Sequence, residues 1–267
     1  MKGSFIARPV RSLYLLSSLG NSKARVQEES KEIFSFHLFR LPLWRVPGFL
    51  LNPMSCKKID GLCHSETFLT MKLGEGIASA PRYNIRNVAL FAWWRNEAAL
   101  EAFLNHPSRR AIIDGWHIRM RLYRRWGEIS ELKTAVVDPS LSSPGNPMVA
   151  VTLARLNLRQ TRRFIQWGKP VESQVRDHTG QVLALAALRP LNTFSTFSIW
   201  KTETEMTDMV FGKDKKQDGE SHKLAMQERL RKDFHHEFST MRFAPFKEVG
   251  VWNGFSEYTS SLNKDLG

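Results

Sequence analysis

The segment Ser221-His222-Lys223-Leu224-Ala225-Met226 carries the residues best suited to chemistry. At the helical spacing of about 100° per residue, His222, Met226, Leu230, Phe234 and Phe238 form one drifting stripe. A helix from Ser221 to about Thr240 would therefore turn the His222 imidazole into the protein. Ser221 is a good N-cap, and a histidine in the first turn sits near the positive helix end, which favours the neutral ring a metal needs. Axial ligation of an iron is the chemistry this permits. A buried histidine bonded only to a backbone carbonyl would share the same periodicity. His236 falls on nearly the same face but about 21 Å along the axis at 1.5 Å per residue, so it and His222 cannot share one iron. His235 is expected to point to solvent.

Other candidates carry less. His106 is followed by Pro107, Arg109 and Arg110, which describe a basic turn rather than a wall for an apolar cofactor. Cys56, Cys63 and His64 offer three soft ligands where a structural zinc takes four. With 2 cysteines in 267 residues, plain thiols in a reducing, cytoplasmic setting are expected. As a strand, His117 to Trp126 would place Arg119, Arg121, Tyr123 and Arg125 on one face. Such a basic face can bind phosphates, but no zinc-finger, KH or RRM signature accompanies it, so nucleic acid is not the favoured partner. The sequence also lacks a Gly-rich phosphate loop, a GxSxG elbow and an HExxH pair, and the familiar nucleotide-binding and hydrolase classes lose weight.

The elements that must position these residues repeat. Opening strands are expected at 34–40 and from Met148, each followed by a helix with aromatic anchors, 41–54 and 160–177. Extended segments follow at 66–72 and 88–94 in one half and at 181–188 and 193–200 in the other. Each third strand ends in tryptophan, Trp94 and Trp200, and each is followed by an acid-led helix, 97–104 and 203–211. Each half then closes with Met-Arg-apolar, at Met120 and at Met241. The order strand, helix, strand, strand, helix, strand is the split βαβ, ferredoxin-like unit. The expected fold is α+β, two tandem ferredoxin-like halves packed face to face as an α+β barrel. Its boundaries are a basic leader over 1–32, halves over 33–137 and 148–254, a Pro/Ser/Gly-rich linker over 138–147, and a tail over 255–267.

A hydrophobic fraction of 42% fills a core, and no apolar run reaches the length of a membrane-spanning helix. The net charge of +13 bears on partners rather than on fold. Lys2, Arg8, Arg11, Lys23 and Arg25 precede the first acid, as in a targeting segment or a peripheral membrane anchor.

Taken together, Thr196-Phe197-Ser198-Ile199-Trp200, Ser221-His222-Lys223-Leu224-Ala225, the aromatic-basic helix through Phe234 and Phe238 into a closing strand with Gly250 and Trp252, and Phe36-His37-Leu38-Phe39-Arg40 resemble the spheroidene monooxygenase family over about residues 33–254. The resemblance implies a dimeric α+β barrel fold, a haem cofactor, dioxygen as co-substrate and an electron donor such as reduced ferredoxin. It also implies a reaction that puts a keto group into an acyclic carotenoid or a similar long apolar substrate. In that reading His222 is the axial ligand, with Met226 and Trp200 beside the cofactor. The alternative is a non-catalytic haem- or lipid-binding barrel protein. The leader and the insertion containing Lys213, Lys215 and Lys216 depart from the family pattern.

Overall fold

The computed structural model describes residues 31–76, 79–190, 192–211 and 220–259, with only the backbone described for 220–223, Met226 and Leu230. The leader up to residue 30 and the lysine-rich insertion lie outside the described residues.

The first half runs β1 (Ile33–Arg40), α1 (Val46–Leu51), β2 (Leu62–Met71), β3 (Tyr83–Trp94), α2 (Glu97–Leu104), α3 (Arg110–Ile113) and β4 (Trp116–Glu128). The second runs β5 (Met148–Leu156), α4 (Thr161–Arg176), β6 (Gln181–Arg189), β7 (Thr193–Trp200), α5 (Glu203–Phe211), α6 (Glu220–Arg231) and β8 (His235–Val249). The eight strands close into one antiparallel barrel in the order β1-β3-β2-β6-β7-β5-β8-β4. Each half contributes the ferredoxin-like order, β4-β1-β3-β2 and β8-β5-β7-β6.

The halves meet edge to edge rather than as two sheets packed face to face. β2 pairs with β6 and β4 with β8, which leaves no sheet edge among these strands without a neighbour. A strand in this barrel has one face on the interior and the other under a helix. That explains why β1, expected to be half-buried, is buried on both faces up to its last residue. Inside, aromatic side chains from both halves interlock: Phe36 stacks on Phe197 at 3.9 Å, and Phe34 touches Phe91 and Phe243 at 5.6 and 5.0 Å.

One end of the interior is polar. The Glu66 carboxylate, fully buried, takes an ion pair from Arg155, lies 2.8 Å from Arg189 Nη1, and sits 3.0 Å from His64 Nε2. Arg155 also donates to Thr193 at 2.9 Å. Burial would push the Glu66 pKa up, yet the hydrogen bonds from His64 and Arg155, with the Arg155 charge, hold it at about 2. His64 is thus engaged with Glu66, while Cys56 Sγ donates to the Cys63 carbonyl. Among the described residues no group of three or more His, Cys, Asp or Glu is placed to hold a metal ion.

Two expected helices are shorter than the sequence implied. The stretch 41–54 forms a single 3-10 turn and the six-residue α1. The helix expected over 221–240 stops at Arg231, and β8 begins at His235, so Phe234 and Phe238 do not continue a helical stripe. No helix among the described residues is long and apolar enough to cross a membrane.

Candidate functional site

The two halves place matching residues at matching points, and the differences between them make the site. Trp94 and Trp200 end β3 and β7, and three residues later Glu97 and Glu203 each bind the arginine of the closing strand, Arg119 and Arg242, at 2.5 and 3.0 Å. In the strand register Phe36 faces Phe91 as Val151 faces Phe197, and His37 faces His117 as Thr152 faces Thr240. The outer face of the first half is therefore bulky. His37 and His117 stack at 4.9 Å, and Val88, Leu90, Ala92 and Trp94 meet Leu100, Phe103 and Leu104 of α2.

The outer face of the second half carries Ala150, Thr152, Thr196, Ser198 and Thr240 at the corresponding positions, and these small side chains leave space. A cavity of about 670 Å3 lies between this sheet face and helices α4, α5 and α6, within the roughly 300–1,000 Å3 typical of ligand pockets. The α4 stripe Thr161, Phe164, Ile165, Gly168, Val171 and Val175, at helical spacing, faces the cavity. Its contact with the sheet is partial: Phe164 meets Phe194 of β7 edge-on at 5.0 Å and Val175 packs beside Met71 and Ala186, yet Gln174 is the buried residue of this 16-residue helix, whereas α2 buries three apolar side chains in half the length.

Polar ties at the rim hold this helical layer. Arg82 of the first half grips Glu172 of α4 through both guanidinium nitrogens at 2.8 Å, and Gly74 N donates to the same carboxylate at 3.1 Å. A side chain at Gly74, whose φ is +76°, would also strike the Arg176 guanidinium, so glycine suits this turn twice over. Gln174 donates to the Met209 carbonyl at 3.0 Å, joining α4 to α5, and Arg163 bridges to Glu228 of α6. Apolar walls with a polar perimeter fit a large, mostly apolar guest.

Trp200, expected beside the cofactor, is in the cavity wall, fully buried, with Nε1 donating to Ser198 Oγ at 2.8 Å and its ring edge on His178 at 5.2 Å. His222 and Met226 lie on α6, which forms one wall through Ala225 and Arg229; their side chains are outside the described residues. His106 begins a short 3-10 turn in the first half and bonds Ser108, away from any such cavity.

Three expectations are corrected. His235 does not face solvent: it lines the cavity, and neither ring nitrogen has a hydrogen-bond partner among the described residues. His236, expected at the far end of the His222 helix, is an exposed residue of β8. The supposed basic face of β4 is no open surface either. Arg119 is 2% exposed and bound to Glu97 and Glu101, Tyr123 is buried, and Arg125 donates to the Leu132 carbonyl. The helices α2 and α5 cover that face of the strand.

Sequence reasoning missed His235 because it assumed an unbroken helix. In β8 a register shift sets Arg155 opposite Glu237 but Leu156 opposite His235, so two residues of β8 span one of β5. This bulge moves His235 from the interior parity of Glu237, Ser239 and Met241 to the cavity side, beside Leu156 and Phe238. Burial first, then the positive charge of Arg229, lowers its pKa to about 4, and the ring is neutral at physiological pH.

No protein-family model matches the chain, and no curated protein matches it. Solved structures do. An aldoxime dehydratase is 7% identical with a TM-score of 0.50 over 86% of this chain and 88% of that one. An aldoxime dehydratase crystallised with butyraldoxime is 10% identical, TM-score 0.49, over 86% of each chain. A haem-degrading enzyme from Listeria monocytogenes is 10% identical, TM-score 0.27, over 80% of this chain and 98% of that one. At such identities the likeness to the first of these speaks for the fold alone.

Proposed function

We propose that the chain is a haem-dependent monooxygenase that holds its cofactor in the second-half cavity and acts on a long apolar substrate, an acyclic carotenoid or a similar hydrocarbon. The observation that carries this reading is the cavity itself. A duplicated fold keeps one helical layer packed on its sheet and leaves the other in partial contact, over small residues and beside a neutral imidazole that has no hydrogen-bond partner among the described residues. The likeness of the sequence to the spheroidene monooxygenase family adds the cofactor and the substrate class.

The residues present fit a haem. Aromatic and aliphatic side chains make the walls, Lys169 and Arg229 can receive carboxylates, and histidine is available from α6, where His222 is the ligand expected from sequence, and from β8. Bound haem iron would supply the activation of dioxygen. The chain's own part is to exclude water with Phe164, Phe194, Trp200 and Met209, and to place the substrate against the cofactor. An acidic donor such as reduced ferredoxin would meet Arg124, which lies 4.2 Å over the exposed ring of Trp126 at the cavity rim. The basic leader would serve contact with an anionic membrane surface.

Titration of the purified chain with haemin tests the cofactor, and oxygen consumption with a reductant and a carotenoid then separates an enzyme from a haem or lipid carrier. A Soret band with substrate-dependent oxygen uptake is expected. A Soret band without uptake would make the protein a carrier, and no band would end the haem reading.

A further inference from the structure

The segment that joins β1 to β2 holds apolar side chains out to solvent beside arginines that no acid neutralises. We propose that this face of the first half binds an anionic lipid bilayer, with α1 lying in the headgroup layer and a lipid phosphate seated at Arg45 and Arg109. The inference does not rest on the haem reading, and it concerns the folded body rather than the leader.

Local sequence explains the exposure. Val46 and Leu50, four apart on α1, share the face that turns into the outer core of the first half. Leu43 and Trp44, in the 3-10 turn before α1, and Leu51 at its end are left outside, at 52%, 75% and 67% exposure. Single exposed apolar residues are ordinary on a protein surface. Three within nine positions, one of them a tryptophan and all beside arginine, have the make-up of a segment that lies in a membrane interface.

The charges point the same way. Arg40, Arg45 and Arg109 have no carboxylate partner among the described residues, and each guanidinium lies over a ring instead: Trp252 at 5.9 Å, Trp44 at 4.7 Å and Phe103 at 4.8 Å. Arg110, next in the chain, is by contrast paired with Asp114. Arg109 Nε is buried without a hydrogen-bond partner, and burial lowers the pKa of the group. A phosphate there would give that guanidinium the acceptor it lacks and favour its charge.

Arg45 and Arg109 also border a pocket of about 210 Å3 between α1 and α3, walled by Phe39, Phe49, Met54 and Ile112. The volume lies below the roughly 300 Å3 at which pockets for whole small ligands begin, so it suits one segment of a longer amphiphile. An acidic protein would meet the guanidiniums but not the apolar pocket beside them. A lipid carries an anion and a chain on one molecule.

The test uses the full chain, its Trp44→Phe and Trp126→Phe variants and the Arg45→Ala/Arg109→Ala double variant. Each is mixed with vesicles of phosphatidylglycerol and chain-brominated phosphatidylcholine, which quenches tryptophan emission on contact, and thermal melts serve as folding controls. Wild-type emission should be quenched, Trp44→Phe should lose most of that quenching while still binding, and Trp126→Phe should keep it. The double arginine variant should bind at least about tenfold more weakly, since each arginine near an anionic surface contributes about 1 kcal/mol. The leader is the same in every chain, so it cannot produce a difference between them. Quenching unchanged in Trp44→Phe, or lost in Trp126→Phe instead, would overturn the proposal. So would wild-type affinity in the double variant. A wild type that ignores anionic vesicles would also overturn it and leave this face to an acidic protein.

Discussion

Thr152 and Thr240 face each other across the β5–β8 pair with their hydroxyls 3.3 Å apart, at the two register positions that His37 and His117 fill in the first half. Exchanging two stacked rings for two threonines, with Ala150, Thr196 and Ser198 around them, converts a packed layer into a chamber. The flanking Trp-to-Glu-to-Arg arrangement is the same in both halves.

If that chamber is the binding site, filling it from the floor should block it. Thr152→Trp places an indole in existing space, so the melting temperature should stay near wild type while haemin affinity falls by at least about tenfold. Titration of wild type and variant side by side checks this. Unchanged affinity would place the guest elsewhere.

The Arg82–Glu172 clasp should hold α4 over the chamber. Removing one partner of a largely buried pair costs about 3–5 kcal/mol, and Glu172→Gln should show a loss toward the lower end, because the pair lies at a rim. Hydrogen exchange should report faster opening in α4 with little change in β1 and β3. Uniform acceleration across the barrel would mean that the pair stabilises the whole fold instead.

Much of this architecture was legible in the sequence. The alternation at Phe34-Ser35-Phe36, the apolar start of the second opening strand at Met148, the tryptophans at 94 and 200 and the acid-led helices after them survive in the structure because each is a local signal. The chamber was not legible. Thr152 and His37 acquire meaning only when register makes them equivalent, and register is a long-range fact. The α6–β8 boundary was misread because Phe234 and Phe238 are four apart, and a bulge at His235 breaks the alternation that would have announced a strand.

Acid stability should show the Glu66 network. Its folded pKa of about 2 lies below the ordinary carboxylate value of 4.5, so its contribution is complete above that value and disappears as pH falls from 4.5 toward 2. Glu66→Gln should be less stable than wild type at neutral pH and should lose the steep part of the acid limb in that window. Denaturant melts at stepped pH would show parallel limbs if the network is energetically silent.

His117 should act in a higher window. Burial, then the Arg119 charge, lowers its pKa from 6.5 to about 4, so the unfolded chain takes up a proton that the folded chain refuses. Stability should fall as pH drops from 6.5 to 4 and level off below, through this residue. His117→Leu should make that stretch shallower without abolishing it, because burial also holds His37 and His235 below 6.5; an unaltered slope would assign it to those groups alone.

The position of bound haem decides whether the second-half chamber is the site. Crystals of the chain grown with haemin and measured at the iron absorption edge give that position from anomalous scattering alone. The prediction is one iron peak between the β5–β7–β8 face and α4, within coordination distance of a histidine from β8 or α6. An iron peak in the first half or on the surface, in crystals of saturated protein, would contradict it.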